Sequence, residues 1–223
     1  MKQLKLEISS IRKFGAQEII SFNDINFCIK AGQFILVYHP EKDDHLIPIY
    51  FALQVDDIFF VKPENTNWEI GDHLIATGPI GPGFSATHHY QNLMFISLGV
   101  PKGGLNPIIE SSVKQGKNVA YMLEDNNLNL PNSVEIVFPD TLDENLLWAG
   151  HVLIEGERDQ LEKHHNTLEV MRKSKIPAEI LLYCPMLCSG ASQCSLCSVK
   201  TRKGLIQTCQ YGSVFNLNEL VFS

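Results

Sequence analysis

Nowhere along the 223 residues does an apolar run approach the roughly 18 residues that a membrane-spanning helix needs. Long runs of one charge are missing too. Lys and Arg number 18 against 25 Asp and Glu, a formal charge of −7, so there is no basic field to hold nucleic acid. The first residues, Met1-Lys-Gln-Leu-Lys-Leu-Glu-Ile, lack the apolar centre of a signal peptide. No P-loop occurs, and Ser85 after Gly83-Phe84 lacks the glycine frame of a nucleophile elbow. These absences point to a cytoplasmic protein with neither membrane nor nucleic acid as partner. They give no sign of a hydrolase, and no catalytic residue is assigned.

Cysteine is scarce outside one stretch. Cys28 stands alone, flanked by Phe27 and Ile29, and reads as a buried packing thiol. The other five of the six lie between 184 and 209. In a reducing compartment such a group means metal rather than disulfides. Cys188, Cys194, Cys197 and Cys209 follow the spacing C-x5-C-x2-C-x11-C. The plant-type [2Fe–2S] spacing is C-x4-C-x2-C with a distant fourth cysteine, so one residue is added in the first gap. A structural zinc site, which also takes four cysteines, is the alternative, but only Cys194-x2-Cys197 has the form of a zinc knuckle. Cys184 competes as a ligand, being four positions before Cys188. Lys200, Arg202 and Lys203 read as a solvated turn.

The rest of the chain divides by rhythm. Residues 1–90 hold short runs that alternate apolar and polar side chains, such as Leu4-Lys-Leu-Glu-Ile and Gln33-Phe-Ile-Leu-Val-Tyr, separated by turn residues. That predicts a small antiparallel β-barrel. Gly78-Pro-Ile-Gly-Pro-Gly marks its edge. Residues 91–180 predict an α/β layer. Leu93-Met-Phe-Ile-Ser-Leu reads as a buried parallel strand. A helix follows from Asn106, ended by Gly116, and a longer one spans about 157–173. Residues 181–223 form the cysteine segment. The adjacent pairs His88-His89 and His164-His165 lack the i, i+4 spacing of helical metal ligands and read as surface histidines. Asp43-Asp44 and Asp56-Asp57 read as turn carboxylates.

The stretch from Cys194 to Phe215 resembles the tail of the dihydroorotate dehydrogenase electron-transfer subunits, a ferredoxin–NADP reductase-like family. Ala31-Gly-Gln-Phe-Ile-Leu-Val, the segment Gly71 to Phe84, and Ile176-Pro-Ala-Glu-Ile-Leu-Leu agree with that family in order along nearly the whole chain. The resemblance implies a flavin-binding-type barrel (1–90), a Rossmann-like nucleotide-binding-type domain (91–180) and a small [2Fe–2S] domain (181–223). It implies FAD reduced by NADH, and a cluster on Cys188, Cys194, Cys197 and Cys209. That cluster serves an FMN-containing catalytic dehydrogenase subunit in pyrimidine biosynthesis, within a homo- or hetero-oligomer.

The cofactor motifs depart from the family. Ile47-Pro48-Ile49-Tyr50 stands where the family has Arg-Pro-x-Ser, leaving Pro48 and Tyr50 as flavin-side positions. Isoleucine cannot pair with a diphosphate. Thr66 marks the second flavin motif, whose glycines are absent. The glycine-rich nicotinamide loop becomes Gly99-Val-Pro-Lys-Gly103-Gly104, and Cys-Gly-Pro becomes Glu155-Gly156-Glu157, whose carboxylates repel phosphate. Two expectations follow. One is an electron-transfer subunit with a [2Fe–2S] cluster. The other is a flavin-free relative with a metal-tied tail, acting as a docking or regulatory module.

Overall fold

A computed structural model describes residues 3–14, 17–43, 45–54, 57–85, 87–123, 130–186 and 194–222. Six antiparallel strands come first: β1 (Gln3–Phe14), β2 (Gln17–Phe22), β3 (Phe34–Tyr38), β4 (Ile47–Gln54), β5 (Ile58–Val61) and β6 (His73–Ile80). They close a barrel in the order β1-β2-β5-β4-β3-β6, as the alternating pattern predicts. Period-2 alternation sends Leu6 and Ile8 inward to meet Ile20, Phe22, Ile35, Val37, Ile49, Phe60 and Leu74. Trp68 plugs this core from the loop before β6, its indole N–H donating to Asp43 at 2.9 Å. Asp43 is therefore a structural acceptor as well as a turn residue. The alternation also explains why Cys28 is exposed rather than buried. Phe27 and Ile29 both turn toward the barrel core, which leaves the residue between them facing water.

The second layer is a six-stranded sheet. It is built from β7 (Asn92–Leu98), β8 (Asn118–Met122), β9 (Val134–Val137), β10 (His151–Glu157), β11 (Ala178–Tyr183) and the short β14 (Val214–Asn216). Its order is β14-β11-β10-β7-β8-β9, with β14 antiparallel and the rest parallel. β7 is buried at nearly every position, as strands covered on both faces are. Three helices connect these strands: α1 (Asn106–Lys114), α2 (Leu142–Trp148) and α3 (His165–Ser174). α1 has Pro107 in its first turn, where an N–H has no helical partner. Gly116 follows its end at φ +71°. α3 starts later than the pattern suggested. Residues Arg158–Gln160 form a 3₁₀ turn, and Glu157 belongs to β10 because that strand stays in register with β11 as far as Tyr183. His164 is buried at the start of α3, against the expectation of a surface pair, while His88, His89 and His165 are exposed. No described helix is long and apolar enough to cross a membrane.

The tail carries a hairpin, β12 (Ser198–Thr201) and β13 (Gly204–Gln207), then a single helical turn α4 (Thr208–Tyr211), before β14 joins the sheet beside β11. Close backbone contact docks this tail on the barrel. Gly212 has φ +93°, and a Cβ there would lie 2.2 Å from the Gly81 Cα at the end of the barrel. Only glycine fits both demands.

Candidate functional site

A cleft of about 480 Å³ lies between the barrel and the sheet. β4 supplies Pro48 and Tyr50, and the end of β5 with its following turn supplies Val61, Lys62, Pro63, Glu64 and Asn65. The sheet side supplies Lys102, Glu157, Asp159, Tyr183, Cys184 and Pro185. Two of the sequence-read flavin-side positions, Pro48 and Tyr50, thus line the cleft. Thr66 sits just behind the wall, its hydroxyl donating to the Pro63 carbonyl at 2.8 Å.

Tyr50 belongs to the floor of this cleft. Its ring packs on Phe34 at 5.2 Å and edge-on against Tyr183 at 4.7 Å. Its hydroxyl meets the Ser213 hydroxyl of the tail at 3.2 Å. Burial holds the phenol well above its ordinary pKa, so it stays protonated. Tyr50 therefore ties barrel, sheet and tail together at one point.

At the sheet's carboxyl edge three hydroxyls and the Gly104 N–H, one of the three expected loop glycines, surround a buried carboxylate. Ser97 of β7 and Glu155 of β10 are register partners. Glu155 Oε1 accepts from the Ser97 hydroxyl at 2.7 Å and the Tyr121 hydroxyl at 3.3 Å. Its Oε2 accepts from the Tyr183 hydroxyl at 2.7 Å and the Gly104 N–H at 3.0 Å. Burial and the neighbouring carboxylate push both phenols well above their ordinary range. Gly104 is closely packed here, whereas Gly99, at φ +84°, faces open space, and Gly103, at φ +81°, lies against the Gln17 amide. Sequence reasoning missed this cluster. Its only signal was a carboxylate standing at the end of an apolar strand.

The cysteine segment is described at three of its four expected ligands, because Cys188 lies outside the described residues. Cys194 is exposed, while Cys197 and Cys209 are buried. The Cys197 carbonyl accepts from the Thr208 N–H at 3.1 Å and the Thr208 hydroxyl at 3.2 Å, fixing one cysteine beside the neighbour of the other. Cys184 is buried close by, with the Thr208 hydroxyl in hydrogen-bonding reach. Burial is the main cause that pushes its thiol up to about 11. Among the described residues, no three cysteine, histidine or carboxylate side chains converge as a metal site.

The lining can be tested against the groups the resemblance implies. The donor chemistry fits a cluster or a tetrahedral metal: four thiols in one short segment, two of them buried and their backbones joined. The cleft does not fit the diphosphate of FAD. Ile47 replaces the arginine, and both lining lysines are already engaged. Lys62 pairs with Glu18 at 2.8 Å, and Lys102 pairs with Glu157 at 2.6 Å. Glu64 and Asp159 add further negative charge.

No family model matches the chain. The electron transfer subunit of dihydroorotate dehydrogenase B (NAD(+)) from Clostridium perfringens is 25% identical over 216 residues, spanning 87% of this chain and 88% of that protein. The resemblance read from the sequence is thereby borne out. Among solved structures, an NADH-dependent reduced ferredoxin-NADP oxidoreductase studied for flavin-based electron bifurcation aligns with a TM-score of 0.73 at 18% identity. It covers 97% of this chain and 89% of its own. Ferredoxin-NADP+ reductase from Plasmodium falciparum, solved with 2'P-AMP, aligns with a TM-score of 0.58 at 13% identity, covering 82% of this chain and 96% of its own. The fold is that of the ferredoxin–NADP reductases.

Proposed function

We propose that this chain is an electron-transfer subunit that passes single electrons to a catalytic partner. The observation that carries this reading is the cysteine quartet, which closes a chain similar along 87% of its length to an electron-transfer subunit. Cys188, Cys194, Cys197 and Cys209 hold the centre, and a [2Fe–2S] cluster bound there supplies one-electron chemistry whose potential depends on its sulfur hydrogen bonds and exposure. The chain's own residues prepare that place. Thr208 clamps the Cys197 carbonyl. The buried side chains of Cys197 and Cys209 exclude water, and exposed Cys194 marks the side from which a partner approaches. The same tail exposes the apolar side chains of Leu196, Leu205 and Tyr211, of the kind found at docking surfaces. By similarity the partner is an FMN-type dehydrogenase subunit in a hetero-oligomer, and the setting is the reducing cytoplasm.

Protein purified without oxygen is expected to be reddish-brown and to carry about two irons and two sulfides per chain. Cys197→Ser is expected to abolish metal binding, and Cys184→Ser to leave it intact. Stoichiometric zinc without sulfide would defeat the cluster assignment. Metal lost in Cys184→Ser but kept in Cys188→Ser would reassign the ligand.

A second reading, a flavin-free docking or regulatory module, is favoured by the cleft lysines, both already paired with carboxylates, and by Ile47, which packs against the barrel core. A metal-loaded protein that neither accepts an electron from dithionite nor reduces a one-electron acceptor would select it.

A further inference from the structure

The chain enters the sheet at β7, moves outward to β8 and β9, then returns to the other side of β7 with β10. The crevice beyond the carboxyl ends of β7 and β10 is thus a topological switch point, where open α/β sheets take a nucleotide. In such crevices the backbone N–H groups of the loop ahead of the helix face the pyrophosphate. Here that loop N–H faces an anion of the chain's own. We propose that Glu155 is the resident anion of this crevice, and that the chain accepts no nicotinamide dinucleotide.

The carboxylate is 1% exposed. It is held by donors from four separate segments: Ser97 of β7, Gly104 ahead of α1, Tyr121 of β8 and Tyr183 of β11. Both oxygens are satisfied, so nothing in its immediate surroundings calls for a further ligand. Gly104 is also tightly packed. A Cβ on Gly104 would come within 2.4 Å of both Leu181 Cδ2 and the Tyr183 hydroxyl. The glycine that in a nucleotide site admits a phosphate here admits only its own neighbours.

Two further contacts strap the crevice. Lys102 of the glycine loop pairs with Glu157 at the end of β10 at 2.6 Å, and Gln17 of the barrel donates to the Pro101 carbonyl at 3.1 Å. A pyrophosphate would have to expel a fully bonded carboxylate, leaving the Ser97 and Tyr121 hydroxyls only each other at 2.6 Å and the half-buried Tyr183 hydroxyl only the Gly104 N–H at 3.0 Å. The inference stands whatever metal the cysteines hold.

Calorimetric titration of the full chain with NADH, NADPH and ADP tests it. Wild-type protein is expected to show no binding tighter than about 1 mM. In Glu155→Ala, the Gly104 N–H and the hydroxyls of Ser97 and Tyr183 face a vacated pocket, each keeping one other partner: Gly104 donates to Tyr183 at 3.0 Å and Ser97 meets Tyr121 at 2.6 Å. ADP is then expected to bind at least about tenfold tighter than to wild type. Glu155→Ser keeps a hydroxyl among these partners and covers the case in which the alanine variant does not fold. Wild-type binding of NADH tighter than about 0.1 mM would overturn the proposal. So would a folded Glu155 variant that gains no affinity for ADP.

Discussion

The polar crevice at the end of β10 and the seam between tail and barrel are closed by opposite means. In the crevice, a single carboxylate gathers four hydrogen-bond donors from four segments, and the residues around it keep their ordinary backbone shapes. In the seam, backbone contact carries the close approach: Gly212 and Gly81 meet backbone to backbone, and Gly32 leaves room for Val214 and Phe84, with the Tyr50–Ser213 hydroxyl contact beside them. The contrast bears on function. The crevice is filled by an internal hydrogen-bond network, whereas the seam brings the tail against the barrel by close packing.

The seam is where one substitution should cost most. Gly212 has φ +93° and ψ 171°, a region essentially reserved for glycine, and the added Cβ would strike the Gly81 backbone. Gly212→Ala is expected to destabilise the protein by about 3 kcal/mol or more, read as a fall in the urea midpoint. A change under 1 kcal/mol would show the seam to be loose. In the crevice, Tyr183→Phe removes the bond to Glu155 at 2.7 Å and the bond accepted from the Gly104 N–H at 3.0 Å, and should cost about 1.5–3 kcal/mol. Tyr50→Phe loses only a neutral contact to Ser213 at 3.2 Å and should cost about 1 kcal/mol. If the two tyrosine variants came out in the reverse order, the weight of the network would lie at the cleft floor instead of at Glu155.

Much of this architecture was legible because it is periodic. Alternation along Leu4-Lys-Leu-Glu-Ile and the apolar run of Leu93–Leu98 each carry their own evidence of strand and burial. So does Gly116 just past α1. The cleft was half legible. Pro48 and Tyr50 lie in it, but the pairing of Lys62 with Glu18, 44 residues away, is a tertiary fact. Glu155 reads in the sequence as a carboxylate that repels phosphate; its hydrogen bonding is not legible there, because its four donors are scattered from residue 97 to residue 183. Cys28 and His164 were misplaced for a local reason. Apolar neighbours in sequence do not reveal which way a single side chain turns.

Strand β10 offers the finest comparison, because it has a buried ionisable group near each end. Glu155 has all its bonds. His151, at the other end, is 2% exposed, its Nε2 lies 3.5 Å from Glu179 Oε2, and its Nδ1 meets no partner among the described residues. Glu179 is itself occupied by Ser85, whose hydroxyl donates at 2.7 Å. Burial lowers the imidazole's pKa from 6.5 and outweighs the pull of Glu179. The sign of the consequence follows. Below about pH 6.5 the unfolded chain takes up a proton that the folded chain refuses. The unfolded state then binds more protons, so stability falls with pH until the folded imidazole also titrates. His151→Gln removes that term while keeping a polar side chain of similar reach. Urea midpoints measured from pH 7.5 to 5.5 are expected to drop less in the variant than in wild type, the smallest of these effects. Equal slopes would mean that Glu179 cancels the burial cost, and that both ends of β10 are satisfied after all.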